Sequence, residues 1–560
     1  MKQVKYIILI FVVSITLWSC EQTFLDVKNV EAGVTVDDMY TRYNQIQGVV
    51  WATYSFLPDG LNEVWREAAT DVAEATSEGS QAQFFNKGNW NSIINPDDVW
   101  SHNFQGINQA NSYLANKGQV DLEYIKTGST ETDSTNYFKA LNNVKFMEGE
   151  ILFLKAFFYF ELVKRYGGVP IIETALEYEE TSSWENLQRN SLNECVEYIV
   201  QLCDNAAKII PSDLSKYSWY EDGRVTYGAI KALKAKTLLY AASPSYKTAG
   251  SQYNWEQAAA AAHDVIQLGT YSLNSTYEGL FGSSNAKSKE FIFTRRYGSM
   301  NWVEYNQYPI SFVGSNGNSF TPTQNFVDQY EVINNDGSSS NFSWDNATHT
   351  ANPYANRDPR LAATVITNGT KFKTTTIETF IGGNNGLPKQ NATKTGYYLR
   401  KWVNTAIDLV NGTSADHTWC YFRYADVLLS YAEAMLNAYG PNADPNAYGL
   451  TALDAVNMVR ARVSLPQLSE SQLNQEQIER ERMLELAFED QRYWDVQRWN
   501  KGTEYFNKTV KRVIITKTDS DLSYAINDLE NRKFAEHMNW YPIPKGEITK
   551  TGWEQNPGWE

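Results

Sequence analysis

Hydrophobic positions along the chain fall mainly into runs with helical spacing, and the strongest run lies near residue 160. The stretch GEILFLKAFFYFELVKRYGGVPII, Gly149 to Ile172, holds about seventeen residues without a helix breaker and is apolar on nearly every face. A helix of this kind is buried on several sides. Gly167 and Gly168 follow it, and such a pair supplies a C-terminal stop. The pattern predicts a long buried helix that ends at the glycine pair.

Further segments repeat the helical pattern with small residues on one face. In residues 225–241, Ala229, Ala232 and Ala235 allow close approach to a neighbouring helix. A second helix follows in NWEQAAAAAHDVIQLG, and the pattern returns in FRYADVLLSYAEAMLNAYG and ALDAVNMVRARV. Apolar residues at this spacing are typical of amphipathic helices. Paired helices rich in small residues suggest tetratricopeptide-like hairpins, although the repeat signature is too degraded to count repeats.

Residues 270–418 have a different composition. Gly, Asn, Ser and Thr dominate, amphipathic helices are scarce, and short β-like pieces such as KEFIFTRRYG and GYYLRKWV occur. Another polar stretch, SEGSQAQFFNKGNWNSIINPDDVW, separates helical fragments between Val36 and Tyr113. Loops on a rigid scaffold often carry binding residues, whereas the alternative is that they only cover the surface. The chain is predicted to be mainly α-helical, with a loop-rich insertion and minor β-structure.

The beginning of the chain carries the pattern of an export signal. Lys2 and Lys5 precede the apolar run Tyr6–Trp18, which has thirteen residues. A membrane-spanning helix needs roughly 20 apolar residues, so this run is short. A basic start, a short apolar stretch and small residues at its end are typical of a secretory signal peptide. We expect residues 1–19 to be removed.

The residues at the end of this run resemble the lipobox of bacterial lipoproteins. They read Leu17-Trp18-Ser19-Cys20. The resemblance implies cleavage before Cys20 and acylation of its thiol and of the new N-terminus. The alternative is an ordinary signal peptide with a cysteine nearby. We expect Cys20 to be the attachment point of a lipid anchor, followed by a polar tether over residues 20–36.

Charge and cysteine content narrow the function classes. The net charge of −16 and the pI near 5.0 oppose attraction to phosphate backbones, so nucleic acid is not an expected partner. Besides Cys20 there are only Cys195, Cys203 and Cys420. The first two lie eight residues apart in a predicted helix, or about 12 Å along its axis, which is too far for a disulfide. The chain is also longer than one compact core usually organises, so two lobes or a repeat architecture are expected.

Two carboxylates have a spacing that could serve glycoside hydrolysis. Glu485 and Glu489 lie one helical turn apart, within the separation that glycosidases use. Neighbouring arginines can instead neutralise them through the pairs Arg482 with Glu485 and Glu489 with Arg492. We favour the structural interpretation and expect no catalysis.

The sequence offers little support for a metal site. Its five histidines are scattered, with no paired spacing that would build a zinc site: His102, His263, His349, His417 and His537. The acids of NPDDVW, Asn95 to Trp100, could lend oxygens to a structural calcium ion, but solvated acids in a turn are commoner. No cofactor is expected.

Four stretches together carry a resemblance to a known family. They are the helix and glycine turn at Gly149 to Ile172, RYADVLLSYAEAMLN with ALDAVNMVRARVSLP, IERERMLELAFEDQRYWDVQRWN at Ile478 to Asn500, and YPIPKGEITKTGWEQNPGW. In order and spacing, over nearly all of the chain after the lipobox, they resemble the SusD/RagB outer-membrane lipoproteins of Bacteroidetes. Members of that family are the surface partners of SusC-type TonB-dependent transporters.

The resemblance implies a mostly α-helical SusD-like fold without catalysis. Four tetratricopeptide-like helix pairs would form one side, and an irregular region the other. The family organisation suggests an N-terminal helical region over residues 37–240 and a C-terminal region over residues 241–560. The second region would hold the loop-rich insertion at about 270–418 and helices at about 420–500. Members bind glycans, or in some cases peptides, and cover the transporter barrel as a lid.

Aromatic residues are the best candidates for ligand contact. Phe, Trp and Tyr make up 14% of the chain, and such rings pack on the apolar face of a sugar while amides and charged groups bond its hydroxyls. Those in helical stripes are assigned to packing, namely Phe157, Tyr159, Trp494 and Trp499. Aromatic residues in loop-like stretches, with their polar neighbours, form the candidate set. They lie in two zones from which the family commonly builds its site. The candidates are Trp90, Asn91, Tyr297, Trp302, Tyr305 and Tyr308, and further Arg400 and Trp402.

The function expected from these features is glycan capture at the cell surface. A lipid anchor at Cys20 would hold the protein on the outer membrane, from which it would deliver an oligosaccharide to a SusC-like transporter. Two alternatives remain open, namely a peptide-binding protein and a scaffold of the transporter complex that binds no ligand of its own.

Overall fold

The computed structural model describes residues 36–126, 128, 130–176, 187–282, 285–519 and 521–560. The expected signal peptide, Cys20 and the tether as far as residue 35 lie outside this part of the chain. Within it, no helix is both long enough and apolar enough to cross a bilayer.

The described chain is mainly helical, as the sequence predicts. In chain order its α-helices are α1 (Val36–Thr41), α2 (Tyr43–Tyr54), α3 (Ala82–Asn86), α4 (Trp100–Asn116), α5 (Glu131–Tyr166), α6 (Leu192–Ile209), α7 (Tyr227–Ala242), α8 (Pro244–Thr248), α9 (Trp255–Ile266), α10 (Trp302–Gln307), α11 (Gln324–Val327), α12 (Ala347–Ala351), α13 (Pro359–Thr364), α14 (Tyr424–Tyr439), α15 (Ala452–Arg462), α16 (Gln475–Glu485), α17 (Arg492–Arg498), α18 (Gly502–Tyr505) and α19 (Lys545–Thr551). A 3-10 helix also spans Leu61–Ala69.

The strands pair two by two, and most of them have only two or three residues. They are β1 (Ala73–Ala75), β2 (Phe291–Met300), β3 (Phe320–Pro322), β4 (Val332–Ile333), β5 (Ser339–Ser340), β6 (Val365–Ile366), β7 (Lys371–Phe372), β8 (Thr375–Thr376), β9 (Tyr398–Leu399), β10 (Ala415–Arg423), β11 (Val510–Thr518) and β12 (Asp521–Glu530). The antiparallel pairs are β1 with β3, β2 with β10, β4 with β5, β6 with β9, β7 with β8, and β11 with β12. The β-structure in the loop-rich region is therefore minor, as predicted.

The central helix α5 confirms the prediction of a long buried helix and extends it. It begins at Glu131, where the side chain of Thr130 accepts a hydrogen bond from the backbone N–H of Asp133. It ends before Gly167, whose φ of 72° lies in the left-handed region that favours glycine. The polar first half of α5 lacks the continuous apolar run that marks its second half. The sequence pattern therefore shows only the buried end.

The other predicted helices form a series of packed neighbours. Each helix packs against the next in the order α4, α5, α6, α7, α9, α14 and α15. The small residues Ala229, Ala232 and Ala235 of α7 are buried, as close helix packing requires. Cys195 and Cys203 are buried and free on α6. One continuous apolar core joins this helical body to residues near both ends of the described chain.

The late segment from Ile478 to Asn500 is not one helix. It divides into α16 and α17, and Phe488 and Asp490 between them have φ of 59° and 57°. The break places the carboxylate of Asp490 beside the guanidinium of Arg66. Its Oδ1 lies 2.7 Å from Nε and its Oδ2 lies 2.9 Å from Nη2. Charge-assisted hydrogen bonds of this kind offset the lost helical bonds. The segment thus ties the C-terminal helices to the 3-10 helix.

Candidate functional site

An open cavity of about 630 Å³ lies where three loop segments meet the helix α10. Its walls come from the 3-10 helix, from residues 75–81 and 96–99, from α10, and from residues 318–320. We call this cavity the α10 pocket. Elements far apart in sequence enclose it, and the antiparallel pairing of β1 with β3 fixes two of its walls relative to each other. Its size is within the range of small-molecule sites.

Trp302 is the large exposed aromatic residue of the pocket. It is the first residue of α10 and 42% exposed. Within the described residues its indole has no ring or cation partner and no hydrogen bond from Nε1. Tyr305, one turn later, is 46% exposed and extends the same apolar surface beyond the pocket wall. An uncovered indole at a cavity offers a flat apolar face for a ligand.

The opposite face of α10 is buried and holds Trp302 in place. Glu304 is fully buried and accepts hydrogen bonds from the backbone N–H of Asn404 at 2.8 Å and from Nε2 of His417 at 3.1 Å. Asn306 donates to the backbone carbonyl of Trp302 at 2.8 Å. These contacts fasten a helix of six residues that could not persist alone. The rigid support is what makes the exposed indole a preorganised platform.

Side-chain amides without internal partners line the same pocket. Asn62, Gln81 and Asn318 are exposed, and within the described part of the chain none of their amide groups has a hydrogen-bond partner. A carboxamide can donate two hydrogen bonds and accept two. Ser77 and Ser80 add hydroxyls at the same wall. The pocket therefore presents hydrogen-bonding groups around an apolar ring face.

A buried network of charges forms the floor. Asp97 accepts hydrogen bonds from Arg66 at 2.6 Å, from Arg165 at 3.0 Å and from the hydroxyl of Tyr541 at 3.0 Å. Burial opposes ionisation of Asp97, but the two guanidinium groups outweigh it and lower its pKa. Trp65, 8% exposed, packs beside Arg66. The floor is therefore fixed by paired charges from distant segments.

Two acids face the pocket itself. Glu63 has a side chain that is 21% exposed and pairs with Arg66 at 2.6 Å. Burial raises the pKa of Glu63 despite the nearby guanidinium of Arg66. Asp98 is exposed and accepts hydrogen bonds from the hydroxyl of Tyr166 at 2.6 Å and from the backbone N–H of Trp100 at 3.0 Å.

The sequence-predicted residues divide into two groups, and three of them must be withdrawn as ligand contacts. Trp90, Tyr308 and Trp402 are 3%, 1% and 4% exposed. The ring of Trp90 lies between those of Trp559 and Tyr541, with centroid distances of 4.6 and 4.9 Å. A loop composition does not reveal that these rings pack into the core.

The remaining candidates are accessible but dispersed. Trp302 lines the α10 pocket and Tyr305 lies beside it on the same helix. Tyr297 is half-buried and donates to Asp59 at 3.2 Å, and Arg400 pairs with Glu278 at 2.6 Å. Asn91 is exposed in a turn, where its side chain accepts from the backbone N–H of Ile93. These three do not line the pocket.

The sequence does not point to the three pocket amides. Asn62, Gln81 and Asn318 belong to three separate segments. The polar stretch that contains Gln81 supplied Trp90 and Asn91 as candidates instead. No single-sequence pattern shows which amides stay unpaired after folding, because their partners come from distant parts of the chain.

The carboxylates considered for hydrolysis are structural. Glu485 is fully buried and contacts the guanidinium groups of Arg360, Arg423 and Arg462. Burial opposes its ionisation, but these arginines, Arg462 first, hold its pKa well below the usual range. Glu489 pairs with Arg423 and Lys401, both at 2.6 Å.

The predicted partners of these two carboxylates were wrong. Arg482 pairs with Asp426 and Asp495, and Arg492 pairs with Asp71. The break between α16 and α17 removes the helical register only for Glu489 and Arg492, whereas Arg482 and Glu485 share α16 and each pair with other residues. The neutralising charges come from other elements instead.

The possible calcium site at NPDDVW also lacks support. Both carboxylate oxygens of Asp97 are bonded to guanidinium groups. Among the described residues no group of three or more His, Cys, Asp or Glu side chains could hold a metal ion.

Comparisons with known proteins agree with this architecture. The model of the SusD family matches residues 289–559, and a second model, described as starch-binding and associating with the outer membrane, matches residues 23–239. SusD-like protein P2 of Formosa agariphila is 23% identical over 539 residues, which cover 90% of this chain and 92% of that protein.

Solved structures show the same fold. A SusD-like protein from Bacteroides fragilis superposes with a TM-score of 0.76 at 25% identity, covering 94% of this chain and 99% of the other. A SusD-like carbohydrate binding protein from the same species gives 0.73 at 23%, covering 92% and 99%. A laminarin binding SusD-like protein gives 0.58 at 20%, covering 93% and 100%. Because two family models together match most of the chain and these structures share its fold, the chain belongs to the SusD family.

Proposed function

We propose that this protein captures an oligosaccharide or polysaccharide in the α10 pocket, without chemical conversion. The observation that carries the proposal is the combination of the exposed indole of Trp302 with unpartnered amides of Asn62, Gln81 and Asn318 around one cavity. A sugar ring has an apolar C–H face and a rim of hydroxyl groups, so the pocket matches its two kinds of surface. The second family model, described as starch-binding, supports the same ligand class.

The proposed cellular role follows from the family. The protein would sit on the outer membrane through a lipid on Cys20 and would pass its ligand to a SusC-like TonB-dependent transporter. The lipobox-like sequence before Cys20 and the description of the family model as outer-membrane associated support this placement. Metabolic labelling with palmitate tests the anchor, because a Cys20→Ser variant is expected to lose the label and to leave the membrane fraction.

Calorimetry on the chain lacking residues 1–20 tests ligand capture. The panel contains starch, laminarin, mannan, cellulose oligomers, pectin and alginate, together with a peptide digest. We expect saturable heat with one glycan class and no release of reducing sugar. Saturable heat with peptides alone would favour a peptide carrier. Silence of a folded sample over the whole panel would favour a scaffold that binds no ligand.

A further inference from the structure

The charged residues that line the α10 pocket are all acidic. Glu63, Asp97 and Asp98 belong to its wall or floor, whereas no Lys or Arg side chain does, within the described part of the chain. The loop at residues 77–81 also contains Glu78, whose carboxylate is engaged by Lys394, and neither residue lines the pocket. A ligand in this pocket therefore meets carboxylates and no exposed cation.

The cations beneath the pocket do not reverse the negative charge of its lining. Arg66, 2% exposed, is shared by Glu63, Asp97 and Asp490. The network continues to Arg165 and Lys164, which pair with Glu161 at 2.7 and 2.6 Å. These buried cations are thus already engaged by carboxylates. None of these three cations lines the cavity.

Asp98 places a negative charge at the accessible wall. Its two hydrogen bonds, from the Tyr166 hydroxyl and the Trp100 backbone N–H, both end on Oδ1. Within the described residues no basic side chain pairs with Asp98. A carboxylate or sulfate group brought beside it would meet a like charge without compensation.

We propose that Asp98 and Glu63 make the α10 pocket selective for uncharged glycans over uronate-bearing or sulfated ones. The proposal rests on the function proposed above and names its substrate class. Like-charge contact with a wrong ligand is a common means of specificity. Two charges about 6 Å apart near a protein surface repel enough to weaken binding by at least about tenfold.

The test compares neutral saccharides with acidic derivatives of the same backbone. Hexasaccharides of α-1,4-glucan, β-1,3-glucan, β-1,4-glucan and β-1,4-mannan are titrated by calorimetry, each beside its C6-oxidised uronate form. We expect the oxidised form of any bound saccharide to bind at least about tenfold more weakly at low salt. In 1 M NaCl, where the screening length is about 3 Å, the difference should shrink. A loss caused only by the missing C6 hydroxyl would not respond to salt.

Variants assign the effect to the two acids. The double variant Glu63→Gln with Asp98→Asn keeps an oxygen acceptor for Arg66 and for Tyr166. Because it removes the like-charge contact, the affinities for the neutral and the oxidised saccharide should come within about threefold of each other. Glu197→Gln removes a single carboxylate charge from the exposed face of α6, outside the pocket, and should leave the selectivity unchanged.

Three outcomes would overturn the selectivity proposal. In the first, an oxidised saccharide binds as tightly as its neutral parent, and Trp302→Ala abolishes the binding of both. Glycan capture then stands, but charge selection fails. In the second, the selectivity persists in the double variant, so another group causes it. In the third, no saccharide binds a folded sample, and the capture proposal fails as well.

Discussion

The imidazole of His417 lies 3.1 Å from the carboxylate of Glu304, directly beneath the helix that carries Trp302. Its other ring nitrogen, Nδ1, lies 3.0 Å from the backbone carbonyl of Ala415. Both nitrogens face acceptors, so the doubly protonated ring satisfies both contacts. Burial opposes the charge, but the hydrogen bond and the charge of Glu304 outweigh it and raise the pKa of His417. The support of α10 is therefore linked to protonation.

His417 predicts a pH dependence of stability. Because its pKa is higher in the folded state, its contribution is complete below the unfolded pKa near 6.5 and is lost as pH rises through the folded pKa. Replacement by Gln should cost about 1.5 to 3 kcal/mol at pH 5.5 and less at pH 9. Urea unfolding of both proteins at the two pH values measures this. A cost that is equal at both would show that His417 is neutral in the folded protein.

The pocket amides predict moderate losses of ligand affinity. Asn62→Ala, Gln81→Ala and Asn318→Ala each remove an amide that has no hydrogen-bond partner within the described part of the chain, so the fold should keep its stability. A hydrogen bond is worth about 1 kcal/mol, so each variant should bind its saccharide roughly threefold to tenfold more weakly. Asn442→Ala removes another exposed amide, in the loop between α14 and α15, and serves as the control. Unchanged affinity in all three pocket variants would place the ligand elsewhere.

Glu67 predicts a gain of stability on substitution. It is 1% exposed, and neither carboxyl oxygen has a hydrogen-bond partner among the residues that the structure describes. Burial, helped by the charge of Asp490, raises its pKa to about 8. The unfolded carboxyl loses its proton near pH 4.3, so the free energy of unfolding decreases as the pH rises from there toward 8. At pH 7 the decrease is up to about 4 kcal/mol.

Glu67→Gln should remove this dependence. We expect the free energy of unfolding to increase by about 1 to 3 kcal/mol at pH 7 and to stay unchanged near pH 4. Denaturant titrations at the two pH values provide the measurement. A loss of stability at pH 7 would mean that the ionised carboxylate has a partner in the folded protein.

Glu485 predicts a structural and not a catalytic effect. Glu485→Gln leaves three guanidinium groups facing a neutral side chain, and breaking a buried ion network of this kind costs about 3 to 5 kcal/mol. Saccharide binding by the folded fraction should persist, since Glu485 does not line the α10 pocket. Thermal unfolding and a reducing-sugar assay check both points. Release of sugar by the wild type that this variant lacks would revive the hydrolase hypothesis.

The sequence predicts the helical body well because local spacing determines it. The apolar stripes of α7, α14 and α15 each contain enough residues to mark a helix. The hairpin of β11 and β12 was not predicted, although Val510, Val513 and Ile515 bury side chains along it. Strand pairing depends on a partner segment, and a local pattern shows that less clearly than a helical stripe.

The candidate site was only partly predictable. Trp302 was identified because an aromatic residue in polar loop composition is a reasonable ligand contact. Trp90 met the same criterion but is covered by Trp559 and Tyr541 from the end of the chain. Burial of a loop residue depends on segments hundreds of positions away, so composition alone cannot separate the two cases.

The central claim is that Trp302 provides the platform on which a saccharide binds, and one comparison tests it most directly. Calorimetric titration of wild type, Trp302→Ala and Trp51→Ala uses the saccharide that gives saturable heat in the glycan panel. Trp51 is 38% exposed and lines a different cavity, so it is a matched control. We predict that Trp302→Ala lowers the affinity at least tenfold, as for an aromatic hot spot worth about 2 kcal/mol, and that Trp51→Ala leaves it unchanged. Equal affinity of the wild type and Trp302→Ala would contradict the account.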